Sequence, residues 1–264
     1  MYKFSVPYNG DLKFVEKVIL EFRQYVDSFY GSFGIDEIGG GRAQKETFIN
    51  SFKELKTIVE KLSKYNINFI YVMNSTNLMN REFNRTYIKN YFRFLKRLIK
   101  IGVKVITLSN PYLIKITKEK FPNILIQASV NLKIRSKEEV VYALKLGCDE
   151  ITLHYDLLKN IPELIKIRKL TNKILRLIPN DIYIMNCPWQ KGHTRMQSAH
   201  SRNKGFKTPY FSYYRNKCVN LRHYYPEEIF KAMWFPPEHI DNYVAIGYKH
   251  FKLLDRLATT DVEY

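Results

Sequence analysis

Residues 124–154 read ILIQASVNLKIRSKEEVVYALKLGCDEITLH, and this stretch decides the fold. It opens on one β-rich run, Ile124–Ala128, and closes on another, Glu150–His154. Between them, Ser136 followed by Glu139 makes a capping box, and Gly147 stands where a left-handed residue ends a helix. A strand, a well-signalled helix and a second strand form the βα repeat of a parallel sheet.

The alternation continues in both directions. Further β-rich runs are Lys3–Val6, Ser28–Tyr30, Asn68–Met73, Val103–Leu108, Asp181–Met185 and His250–Leu254, which brings the total to eight. Phe48, Phe52, Leu55, Ile58, Val59 and Leu62 recur at spacings of three and four, as do Ile88, Tyr91, Phe92, Leu95, Leu98 and Ile99, so both stripes read as amphipathic helices. Eight strands with mainly helical crossovers predict an α/β chain closed into a TIM-barrel-like (β/α)8 barrel. The reading is a single domain over 1–264, with an irregular second unit and with 186–236 as a Cys- and His-containing insertion over the barrel mouth before the last strand.

The chain has 264 residues and 45% apolar content, enough to bury a core, and a formal net charge of +18. The charge has two readings: Lys enrichment beside abundant Ile, Asn and Tyr as composition bias, or attraction to a polyanion such as RNA. Three Cys do not make a disulfide framework, and the N-terminus lacks the apolar core of a signal peptide. No apolar run approaches the roughly 18 residues of a membrane span. A cytoplasmic protein that does not enter membranes is the expectation.

In a barrel the active site gathers at the C-terminal ends of the strands. The residues expected to bind substrate there are Tyr30, Arg42, Asn74, Asn110, Tyr112, Ser129, Asn131 and Arg256. A helix cap or a turn is the competing reading of any single Asn or Ser among them. Gly39-Gly-Gly-Arg42 lets backbone approach a ligand closely and supplies a cation suited to a carboxylate or phosphate. Its spacing is neither a Walker loop nor a dinucleotide fingerprint, so no bound nucleotide is expected.

Soft and borderline metal ligands cluster from Asn186-Cys-Pro-Trp-Gln-Lys-Gly-His193 onward. Cys187, His193, His200 and Cys218 are candidate ligands for zinc or an iron–sulfur cluster, and Cys187, His193 and His154 are candidate catalytic groups. A core thiol with surface histidines is the competing reading, and Cys148 reads as a buried apolar thiol. The basic aromatic stretch from Lys204 to Arg222 suits either stacking on bases or packing over the barrel mouth.

These residues resemble the collagenase-like peptidases of unknown catalytic type, family U-32, over nearly the whole chain. The matching pieces are Tyr30-Gly-Ser32 with Gly-Gly-Gly-Arg42, Asn80-Arg-Glu-Phe83, Ser109-Asn-Pro-Tyr-Leu113, Phe121-Pro122 leading to Ala128-Ser129, and Leu146-Gly147. They continue with Cys187-Pro188, His193, Ser198, His200, Cys218, Phe235-Pro-Pro-Glu238, Ile246-Gly-Tyr248, Phe251-Lys252 and Arg256. The resemblance implies a TIM-barrel-like domain and, in many relatives, four cysteines holding a [4Fe–4S] cluster. Such relatives take part in oxygen-independent hydroxylation of ubiquinone precursors or of RNA bases, while others are described as peptidases. This chain departs from the pattern where Tyr183 and Tyr214 stand near two of the expected cysteines and Gln190 where Arg is usual. A four-Cys cluster is therefore not expected from this chain alone.

The primary expectation is an enzyme acting on a peptide or another polar substrate at the barrel mouth. A hydroxylation or RNA-modification protein and a cluster-less binding or scaffold subunit with a protein partner are the alternatives.

Overall fold

The computed structural model describes residues 1–34, 36–42, 47–202 and 212–254. Its strands are β1 (Lys3–Pro7), β2 (Val26–Gly31), β3 (Asn68–Met73), β4 (Val105–Leu108), β5 (Leu125–Ala128), β6 (Glu150–Thr152), β7 (Ile174–Leu177) and β8 (His250–Lys252). Each pairs in parallel with the next and β8 closes on β1, giving a closed eight-stranded barrel. The first crossovers are α1 (Leu12–Phe22), α2 (Phe52–Ser63), α3 (Arg85–Lys100), α4 (Pro111–Lys120), α5 (Lys137–Leu146) and α6 (Ile161–Arg168). Between β7 and β8 run α7 (Gln190–His200), α8 (Tyr213–Tyr224), α9 (Glu227–Lys231) and α10 (Ile240–Ala245).

The core follows from the helical stripes. Leu55, Ile58 and Leu62 of α2 and Leu95 and Leu98 of α3 are fully buried, and they join the outward-facing strand residues in one apolar layer. α5 forms as its caps predict: the Ser136 side chain accepts from the Glu139 N–H, the Glu139 side chain answers the Ser136 backbone, and Gly147 takes φ 101°. Ser136→Ala is expected to cost about 1 kcal/mol, which lowers Tm by roughly 2–4 °C in a thermal scan.

Inside the barrel, toward the N-terminal ends of the strands, the filling is polar. Arg176 on β7 is 2% exposed and donates to both carboxylate oxygens of Asp27 at 3.0 and 2.9 Å. It also donates to Glu150 at 3.2 and 3.1 Å. His250 contacts Asp27 at 2.8 Å, and Gln127, held by Thr107, donates to Glu150 at 3.0 Å. Six strands are thereby tied through one hydrogen-bonded set.

The seventh strand needs a correction. It is Ile174–Leu177, and Asp181–Met185 lies in the loop beyond it. Arg176 makes the true strand look interrupted, and its charge is acceptable there only because Asp27 and Glu150 arrive from β2 and β6. In 181–185, Ile182 and Met185 are exposed, so the apolar alternation does not mark a sheet face. Cys187 accordingly does not follow directly on β7 but lies ten residues past its end, just before α7. No helix among the described residues is long and apolar enough to cross a membrane.

Candidate functional site

Tyr30, Arg42, Asn74, Asn131 and His154 line one cavity of about 130 Å³ at the C-terminal mouth of the barrel. β2, β3 and β6 deliver Tyr30, Asn74 and His154 as they end. Ser129, just past β5, binds the set together from beneath: its hydroxyl accepts from Asn74 Nδ2 and from the Asn131 N–H, both at 3.1 Å. Asn131 Nδ2 in turn donates to the Asn74 carbonyl at 3.1 Å.

The Gly39–Arg42 loop is fixed from several sides. Asp36 is half-buried and accepts from the N–H groups of Ile38 and Gly39, and Tyr71 donates its hydroxyl to it at 2.7 Å. The Gly41 N–H donates to Asn74 Oδ1 at 2.7 Å, and a Cβ on Gly41 would stand 2.7 Å from Asn131 Nδ2. A side chain at 41 would displace the Asn131 amide from its bond to Asn74, so glycine lets the loop close over the mouth with that bond intact. Arg42 therefore enters the cavity from an anchored backbone.

His154 is 1% exposed. Its Nδ1 lies 3.2 Å from Asp156 Oδ2, and the Gln190 side-chain amide lies 3.2 Å from Nε2. Nδ1 also accepts from Arg135 Nε–H at 3.2 Å and from the Asp156 N–H at 3.4 Å, and Arg135 Nη2 lies 3.4 Å from Nε2. Burial pushes the His154 pKa down, aided by the charges of Arg135 and Lys133 and opposed by Asp156. The ring is thus held neutral at physiological pH.

Sequence reasoning missed several lining residues: Lys133, Asp181, Gln190, Thr194, Gln197 and Lys252. Lys252 ends β8, is 5% exposed, and places its ammonium 4.2 Å from the centre of the Tyr30 ring. Asp181 is buried, accepts from the Tyr183 N–H at 3.1 Å, and has its carboxyl pushed up by burial to about 7, against the pull of Arg42 and Arg222. The cue for Lys252 was its place at the end of the last strand; nothing local marked Asp181.

Other expected substrate residues lie elsewhere. Asn110 caps α4 by accepting from the Leu113 N–H and donates to Glu82, so the capping alternative describes it. Tyr112 packs against Phe83, with ring centres 4.9 Å apart, outside the mouth. Arg256, and with it Lys204 to Phe211 of the basic aromatic stretch, falls outside the described residues.

Cys187, His193 and Cys218 line a neighbouring chamber of about 330 Å³, together with Tyr183 and Tyr214. His200 does not line it, and among the described residues no group of three or more His, Cys, Asp or Glu is placed to hold a metal ion. The expected four-ligand set of Cys187, Cys218, His193 and His200 is therefore not assembled, because His200 sits two turns beyond His193 on α7. A [4Fe–4S] cluster does not fit the donors present. The Tyr183 hydroxyl is driven well above its usual pKa by burial and supplies no anionic donor, and the Tyr214 ring lies directly against Gly192. Cys148 is buried, and burial pushes its thiol pKa up to about 12, as an inert core residue requires.

The sequence profile of Peptidase family U32 matches residues 13–177. An uncharacterized protease of Methanocaldococcus jannaschii is 26% identical over 256 residues, covering 91% of this chain and 73% of that protein. The solved structure of a U32 peptidase superposes with a TM-score of 0.68 at 14% identity, covering 97% of this chain and 93% of the other.

Proposed function

The chain belongs to peptidase family U32, and from that premise we propose that it is an acid–base hydrolase acting on a peptide, or a small polar substrate of similar chemistry, at the barrel mouth. The observation that carries this reading is a buried, neutral-biased imidazole and a high-pKa carboxyl lining one small cavity with Arg42, Lys133 and Lys252.

For His154 Nε2 to act on a water, the ring proton moves to Nδ1 toward Asp156, in place of the Arg135 donation, and the water takes the position of the Gln190 amide. The imidazole takes a proton from that water as its oxygen bonds to the substrate carbonyl carbon. The cations of Arg42 and Lys252 meet the charge developing on the carbonyl oxygen. The C–N bond then breaks, the departing amine takes the proton of Asp181, and His154 and Asp181 return to their starting states by exchange with solvent. At about 130 Å³ the cavity admits one small group at a time, which suits an extended peptide segment.

The pH dependence tests the assignment. A base must be neutral and an acid protonated, so kcat/KM rises with the deprotonation of His154 below the usual histidine range and falls as Asp181 ionises near 7. Asp181→Asn is expected to remove the falling limb while lowering the maximum by roughly 10²-fold. The same residue sets a stability trend. Its folded pKa is raised, so its favourable contribution is present below about pH 4 and lost as pH rises to about 7. Asp181→Asn should therefore gain in Tm relative to the parent across that window. Turnover of a peptide library by the full chain between about pH 4 and 10 is the primary assay. No cleavage at any pH would overturn the peptide reading. Cytoplasmic placement, and binding of RNA or a protein partner, stand as separate proposals; steep loss of RNA retention with salt would favour the RNA reading.

A further inference from the structure

Arg42, Asp181, Tyr183 and Gln197 line both the mouth cavity and the 330 Å³ side chamber, so they form a wall between two distinct spaces. The chamber does not suit an iron–sulfur cluster, and its lining points to a different occupant. We infer that the side chamber binds a planar aromatic anion, a single ring carrying a carboxylate or a phosphate.

Two features of the lining argue for the ring and for the charge separately. Tyr183, Trp189 and Tyr214 supply aromatic surfaces, and His193 already lies between the two tyrosines with both ring separations at 6.2 Å. A flat ligand can extend such a stack. Arg42, Arg215 and Arg222 bring three guanidinium groups, whose planar donor fork matches carboxylate and phosphate oxygens and which stack on rings. Asp181 is the only acid among the described lining residues, and burial pushes its carboxyl up to about 7, which lessens its repulsion of an anion.

Arg222 supplies the most direct sign of an absent partner. Its Nη2 donates to the Ile182 carbonyl, whereas its Nε is buried and meets no acceptor among the described residues. A buried charged donor left unmade is costly, and a ligand oxygen would satisfy it. The volume limits the ligand: 330 Å³ is at the small end of the roughly 300–1,000 Å³ typical of organic-ligand pockets. One substituted ring fits this scale, and a dinucleotide does not. The inference concerns the chamber alone and stands whether or not the mouth cleaves peptides.

The chain has two tryptophans, so Trp234→Phe leaves Trp189 in the chamber wall as the single fluorescent reporter. Phenyl phosphate and benzoate are titrated in parallel with inorganic phosphate, which lacks the ring, and phenol, which lacks the charge; calorimetry on the unsubstituted chain guards against a folding defect. The expected result is saturable, one-to-one binding of phenyl phosphate or benzoate, at least tenfold tighter than inorganic phosphate or phenol. The tighter of the two identifies the anionic group. Arg215 is exposed and its replacement leaves the core intact, so Arg215→Met is expected to weaken binding about tenfold, and Arg222→Met about tenfold or more. The inference fails if neither aromatic anion saturates by about 10 mM, if inorganic phosphate binds as well as phenyl phosphate, or if both arginine variants bind like the parent. It also fails if protein purified without oxygen carries stoichiometric iron and sulfide that Cys187→Ala with Cys218→Ala removes, since the chamber would then hold a cluster.

Discussion

Arg176→Met is expected to destabilise the protein by about 3–5 kcal/mol, the cost of leaving buried charge without its partner, and to lower Tm by roughly 10 °C. Methionine keeps the bulk of the side chain but removes the donors that hold Glu150 and Asp27. Burial by itself would raise the Asp27 pKa; the hydrogen bond with His250 and the charge of Arg176 outweigh it, and the carboxyl is held below its ordinary value. The sign of the pH effect follows. A depressed carboxylate stabilises the fold above its unfolded pKa of about 3.9, and this contribution is lost as pH falls through the folded value. The parent should therefore lose stability in acid more steeply than the variant. Chemical denaturation of Arg176→Met, Glu150→Gln and the double variant measures the coupling. A double variant that recovers part of the single-variant loss supports the network, and strict additivity would show that Arg176 acts through packing alone.

His154→Gln is expected to reduce kcat/KM by roughly 10²–10⁴-fold, the usual contribution of a positioned general base. Glutamine retains polarity and much of the volume, so the accompanying Tm change should be small while the low-pH limb of the activity profile disappears. Cys187→Ser provides the contrast. Cys187 opens on the side chamber and on an adjoining groove, whereas His154 lines the mouth. If His154 is the base, Cys187→Ser should retain turnover within a few-fold. The reverse pattern, an inert Cys187→Ser and an active His154→Gln, would transfer the chemistry to a thiolate at the chamber.

Much of the architecture was legible because it is encoded by local pattern. The boundaries of Asn68–Met73 agree with the observed strand, and the capping box at Ser136 with Gly147 describes α5 correctly. The rule that places function at strand ends picked out Tyr30, Asn74, Asn131 and His154, which the structure brings to one cavity, and Ser129, which bonds to two of them; it also picked out Asn110, whose amide is engaged by a helix cap and by Glu82. A cap and a ligand-binding amide look alike in sequence, since both are Asn after a strand and only the partner distinguishes them.

The remaining features depend on partners far away along the chain. Arg176 belongs to a strand only because Asp27, 149 residues earlier, neutralises it. Asp181 becomes a candidate acid through desolvation, which is a property of the surrounding packing and leaves no mark on neighbouring residues. The cluster of Cys and His after Asn186 suggested a metal site, but His200 lies two turns along α7 from His193 and the chamber closes around tyrosines. Hydrophobic period and caps, acting over a few residues, thus determined that this chain forms a barrel and where its mouth lies. Which charges are buried, which carboxyl titrates high and which thiols share a chamber were decided by the tertiary structure, because electrostatic energy depends on distance and burial in space, and residues far apart in sequence set both.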